Sequence, residues 1–74
     1  MFRLEDLTLF VRAAALNSFS DAAREDGVQP AQVSSAIKRL ESTLAIRLFA
    51  RSTRSLRLTP EGEVWLPYAR QMLD

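Results

Sequence analysis

Between Pro30 and Leu44 the chain sets Ala31, Gln32, Ser34, Ser35, Lys38 and Arg39 among Val33, Ile37, Leu40 and Leu44. At helical periodicity the four aliphatic residues fall on one side. The opposite side holds Ala31, Ser35, Lys38, Arg39 and Ser42, flanked by Gln32 and Ser34. Pro30 stands at its start. Small side chains there let a backbone approach a surface closely. Amide and hydroxyl groups match nucleobase edges, and the two cations further along match phosphates. An ordinary solvated helix face has a similar composition, so the rest of the chain must decide between the two readings.

Little else offers chemistry. The chain has no His and no Cys, which removes the usual residues of triad catalysis, of most zinc sites and of disulfide scaffolds. It shows no Gly-rich phosphate loop and no defensible pair of catalytic carboxylates, so the sequence predicts no enzyme. No cofactor is expected on these residues, and no metal. Met1 is followed by Phe-Arg-Leu-Glu-Asp without a long apolar run, which predicts neither a signal peptide nor a membrane span.

The net charge of +1 conceals a division. Residues 1–26 carry three Arg against five acids. Residues 27–60 carry Lys38, Arg39, Arg47, Arg51, Arg54 and Arg57 against Glu41 alone. Residues 61–74 carry Arg70 against three acids. A basic middle between acidic ends predicts one electropositive face. Five of the six central cations are Arg, the side chain suited to phosphates and base edges.

The elements that must position these residues follow from punctuation and periodicity. Leu4, Leu7, Val11 and Ala14, with Phe10 beside them, predict an amphipathic helix over about residues 4–17. Ser20 is the expected N-cap of a short second helix, with Asp21 in its first turn. Gly27 supplies a tight turn, and Pro30 opens the third helix, where its missing N–H costs nothing. Ile46 and Leu48, then Leu56 and Leu58, alternate with Arg47 and Arg57 around a polar loop, which predicts a small two-stranded hairpin. Its tip supplies Arg51, Thr53 and Arg54. These are candidates for phosphate or minor-groove contact, although Arg51, after Leu-Phe, would equally brace the hairpin on the core. Thr59 and Pro60 then cap and open a fourth helix. It is richer in apolar residues than one side of a surface helix needs, so Trp65, Tyr68, Met72 and Leu73 are candidates for a partner subunit. No cap or Gly stops this helix at Asp74, and the chain reads as one domain of a longer protein.

This order describes a mainly α winged helix-turn-helix with a small two-stranded wing, in which the third helix lies in a DNA major groove. Several segments together resemble the N-terminal domain of LysR-type transcriptional regulators. They are Ser18-Phe-Ser-Asp-Ala-Ala23, Pro30-Ala-Gln-Val-Ser34, Ile37-Lys-Arg-Leu-Glu41, Arg47-Leu-Phe-Ala-Arg51 and Leu58-Thr-Pro-Glu-Gly62. The resemblance covers about residues 4–73 without a gap.

The resemblance implies a DNA-binding domain over residues 1–59 and the start of a linker, or dimerisation, helix over residues 60–74. It implies a homodimer through that helix, tetramers built from dimers in the full-length protein, and a small-molecule effector bound on a C-terminal domain missing here. The implied partner is double-stranded promoter DNA, in the cytoplasm and nucleoid of a bacterium and not at a membrane. Pro30, Ala31, Gln32, Ser34, Ser35 and Lys38 match recognition-helix positions, and Arg51, Thr53 and Arg54 match wing positions.

Three positions depart from the family's pattern. Asp26 stands where an apolar residue is usual and, at a helix C-terminus, needs a cationic partner or solvent. Ser35 stands where a basic residue is frequent. Ala45 replaces the usual Gly, with strain if φ is positive there. The alternative reading is a winged-helix interaction or dimerisation module without DNA binding.

Overall fold

Among the described residues, four helices and one hairpin surround a core to which all four helices and the start of the hairpin contribute. The computed structural model describes residues 2–51 and 55–74. Helix α1 spans Leu4–Leu16, α2 Phe19–Asp26 and α3 Pro30–Leu44; strands β1 Phe49–Arg51 and β2 Leu56–Leu58 follow, then α4 Pro60–Leu73. Leu7, Phe10 and Ala13 of α1 meet Val33, Ala36, Ile37 and Leu40 of α3, all buried. Ala13, Ala22, Ala23 and Ala36 are also buried, and side chains this small let α1, α2 and α3 cross closely.

The helix boundaries have local causes. The Ser18 hydroxyl accepts the Asp21 N–H at 3.1 Å, so Ser18 is the N-cap of α2. The expected cap, Ser20, lies inside the helix and is exposed. Phe19, the first residue of the helix, packs edge-on against Phe49, ring centroids 5.4 Å apart. Gly27 closes α2 with φ +69°, and the Val28 N–H returns to the Ala23 carbonyl at 2.9 Å. That left-handed turn favours glycine. Pro30 occupies the first turn of α3, as the sequence predicts. At the other end of α3, Ala45 adopts φ +57°, a conformation costly for a residue with a Cβ.

The hairpin lies slightly later in the chain than the sequence pattern suggests. Phe49 pairs with Leu58, Ala50 with Arg57 and Arg51 with Leu56, antiparallel. Ile46 and Leu48 therefore precede the first strand. Their part of the backbone is claimed by α3 instead, because the Glu41 carboxylate accepts the Leu48 N–H at 2.8 Å and the Phe49 N–H at 3.4 Å. Thr59 caps α4 by accepting the Gly62 N–H at 2.9 Å and donates its hydroxyl to the Arg47 carbonyl. Gly62 is buried under the hairpin. A Cβ there would stand 2.3 Å from the Leu48 carbonyl oxygen, so only glycine lets α4 start so close to the wing. Pro67 lies within α4, which continues through it to Leu73.

Two substitutions check these local causes by urea unfolding. Ser18→Ala should cost about 1 kcal/mol, and Ser20→Ala should stay within about 0.5 kcal/mol of the parent. Ala45→Gly should raise stability by about 1 kcal/mol, because it relieves the left-handed strain.

Candidate nucleic-acid interface

Helix α3 is buried along Val33, Ala36, Ile37 and Leu40 and open along the other side. Pro30, Ala31, Gln32, Ser35, Lys38 and Arg39 are exposed, and Ser34 is half-buried. The predicted face is therefore a real surface. Two hollows flank it. Ala31, Gln32, Ser35 and Arg39 share one with Arg3 of the α1 N-terminus. Ser34 and Lys38 share the other with Arg47 and Arg51 on the wing side. Arg3 was not singled out by the sequence; its place beside α3 arises only when α1 folds back across that helix.

Arg39 has a partner that the sequence analysis missed. Its Nε and a terminal nitrogen donate to the two oxygens of Asp6 at 3.0 and 2.8 Å. Asp6 is only 2% exposed, while the Arg39 side chain remains 45% exposed. The pair joins α1 to α3 in the two-pronged geometry that suits guanidinium and carboxylate. A signal for it exists in the sequence: Asp6 lies one turn before Phe10, on the side of α1 that points inward. Hydrogen bonding to Asp6 raises the Arg39 pKa above its ordinary value, against a smaller lowering from burial. A raised folded-state value means that this contribution is complete at lower pH and is lost only as pH climbs through it. Arg39 therefore gives stability no pH dependence near neutrality.

The wing side is braced differently. The guanidinium carbon of Arg51 lies 4.6 Å from the centre of the Phe19 ring, and a terminal nitrogen donates to Ser34 Oγ at 3.3 Å. Of the two readings of Arg51, bracing is the one this geometry displays. Glu41 holds the wing's first N–H groups, and Arg47 Nε stands 3.8 Å from the same carboxylate. Thr53 and Arg54, the other expected wing contacts, lie outside the described residues. Asp26 finds the cation that its position requires, with Arg12 3.2 Å away.

The four expected dimerisation residues divide. Trp65 is half-buried, edge-on to Phe2 with centroids 5.2 Å apart, and Leu73 packs against the core. Tyr68 and Met72 are exposed, as is Val64, which the sequence reading passed over. Trp65, Tyr68, Gln71 and Met72 line an open apolar hollow on α4. Among the described residues no cluster of His, Cys, Asp and Glu could hold a metal ion, and no helix is long and apolar enough to cross a membrane.

A hairpin behind a helix-turn-helix whose third helix presents an open polar and basic face defines a winged helix-turn-helix. The profile of the bacterial regulatory helix-turn-helix proteins of the LysR family matches residues 4–63. The chain belongs to that family. It is 44% identical over 71 residues to the probable HTH-type transcriptional regulator LtrA of Klebsiella pneumoniae, a match covering 96% of this chain and 23% of LtrA. It is 42% identical over 65 residues to the transcriptional regulator PerR of Escherichia coli, covering 88% of this chain and 22% of PerR. This chain thus spans about a quarter of the length of such relatives. Among solved structures, oxidized Corynebacterium glutamicum OxyR superposes with a TM-score of 0.95 at 36% identity, covering 100% of this chain and 24% of that one. The BenM_DBD/catB site 1 DNA complex superposes with a TM-score of 0.91 at 33% identity, covering 97% of this chain and 80% of that one.

Replacing Asp6 by Asn should lower the thermal unfolding midpoint by several degrees, because a neutral amide cannot accept both guanidinium bonds. Glu5→Gln, on an exposed neighbour, should leave the midpoint unchanged.

Proposed function

We propose that this chain is the DNA-reading head of a bacterial transcriptional regulator. It binds duplex promoter DNA, with α3 in the major groove and the wing on the adjoining backbone or minor groove. Pro30, Ala31, Gln32, Ser34 and Ser35 lie nearest the base edges. Lys38 and Arg39, further along α3, lie nearer phosphates, with Thr53 and Arg54 serving the wing. The observation that carries this reading is the exposed face of α3, polar at its start and basic further on, set between two hollows bordered by arginines. The likeness to a BenM_DBD structure solved with DNA supports it.

On this reading residues 1–59 bind DNA and residues 60–74 begin a linker helix. Tyr68 and Met72, with the exposed rim of Trp65 and with Leu73, meet a second copy of the chain, and the full-length protein forms dimers or tetramers. A small-molecule effector acts on a C-terminal domain beyond this chain. The protein works by binding, not by catalysis, in the bacterial cytoplasm.

Selection of bound sequences from a random duplex pool, followed by affinity measurements at several salt concentrations, tests this. Affinity should fall steeply with salt as phosphate contacts release counterions. Lys38→Ala should weaken binding to all sequences alike and reduce the salt slope by about 0.9. Gln32→Ala should remove about 1–3 kcal/mol of discrimination at one base pair. Dimerisation without salt-dependent DNA retention would establish the interaction-module alternative instead.

A further inference from the structure

Gln32 and Ser34 can each donate or accept a hydrogen bond, so side-chain type alone leaves their reading open. The folded chain biases it toward donation. Gln32 Oε1 accepts the backbone N–H of Gln29 at 2.8 Å. Ser34 Oγ accepts from an Arg51 terminal nitrogen at 3.3 Å. Each oxygen has one of its two lone pairs engaged within the protein, and each side chain keeps its donor: the amide NH2 of Gln32 and the hydroxyl hydrogen of Ser34.

Both engagements are held from behind. The Gln29 N–H sits at the start of α3, where the helix offers it no carbonyl, and the Gln32 oxygen fills that need. Arg51 rests over the Phe19 ring, which is itself fixed edge-on to Phe49. The Phe49 N–H ends on Glu41, a residue of α3. The strand that carries Arg51 is thus tied back to the helix that carries Ser34.

We propose that α3 reads DNA with donors, because the Gln29 backbone and Arg51 act as positioning groups that draw the oxygens of Gln32 and Ser34 inward and leave their donors for base-edge acceptors. This rests on the DNA reading above. In the major groove guanine presents two acceptors, N7 and O6, whereas adenine sets an amino donor beside its N7. The two-pronged pairing of Gln with adenine needs Oε1 presented to the base as an acceptor, and the cap bond draws that oxygen back toward the Gln29 N–H. Gln32 therefore favours guanine, which offers its NH2 two adjacent acceptors, over adenine, which offers one. Arg51 sharpens the Ser34 contact and neutralises no phosphate itself.

The test is sequence selection from a random duplex pool, with salt titration, on the parent chain and on Gln32→Ala, Ser34→Ala and Arg51→Met. Methionine keeps an apolar stem on Phe19 and removes both donor and charge. Thermal unfolding checks that each variant folds; Arg51→Gln, which also removes the charge, carries the salt arm if the methionine variant does not. The base that Gln32→Ala ceases to select should be guanine in the parent, preferred roughly tenfold over adenine. Arg51→Met should flatten the same position as Ser34→Ala and leave the salt slope at the parent value, and Arg51→Gln should leave that slope unchanged too. Adenine at the Gln32-dependent position overturns the proposal. So does a slope lowered by about 0.9 in either Arg51 variant, the mark of a lost phosphate contact. A parent chain with no salt-dependent duplex binding would instead remove the DNA reading itself, and this inference with it.

Discussion

Asp6 is a carboxylate withdrawn from water, and the arrangement of α1 on α3 follows from how that charge is satisfied. Burying an unpaired carboxylate costs several kcal/mol. Here the offset comes from two guanidinium bonds that tolerate little variation in angle. Apolar packing of Leu7 and Phe10 on Val33, Ile37 and Leu40 would allow many small rotations of one helix on the other. The Asp6–Arg39 pair selects among them. It thereby sets how α1 lies along α3, with Arg3 beside Gln32 and Ser35.

The same helix is fastened on its other flank by Glu41. One carboxylate oxygen receives two successive backbone N–H groups where the chain enters the wing, and Arg51 returns across the gap to Ser34. α3 therefore carries both the surface offered to a ligand and the attachments that orient its neighbours. Neighbouring cations on it differ in their attachments: Lys38 is open to solvent, whereas Arg39, also exposed, is bonded to Asp6 of α1.

This difference explains what could be read from the sequence. Proline, glycine and threonine at boundaries act through local backbone geometry, so Pro30, Gly27 and the Thr59–Pro60 start of α4 were legible in advance. The periodicity of Val33, Ile37 and Leu40 likewise revealed the buried side of α3 and, by subtraction, its open side. Ser18 and Ser20 are both residues that cap helices, but Ser18 also has an acid three residues on, at Asp21, and it is the Ser18 hydroxyl that accepts the Asp21 N–H. The Asp6–Arg39 pair spans 33 positions in sequence and leaves no trace in any local pattern except an acid on an inward-facing turn. The hairpin began later than alternation suggested because Glu41 competes for the backbone groups that a longer strand would use. Asp26 and Ala45 were visible as irregularities, and the structure supplies an Arg12 partner for one and a strained backbone for the other.

Gly62 lies where the last helix passes beneath the wing, too near the Leu48 carbonyl for any side chain. Drift at this position is closed on packing grounds, whatever sequence the reading helix comes to prefer. A side chain at residue 62 would have to displace the Leu48 carbonyl, so packing alone opposes substitution there, independently of the open face of α3. A glycine there records the joint between wing and helix.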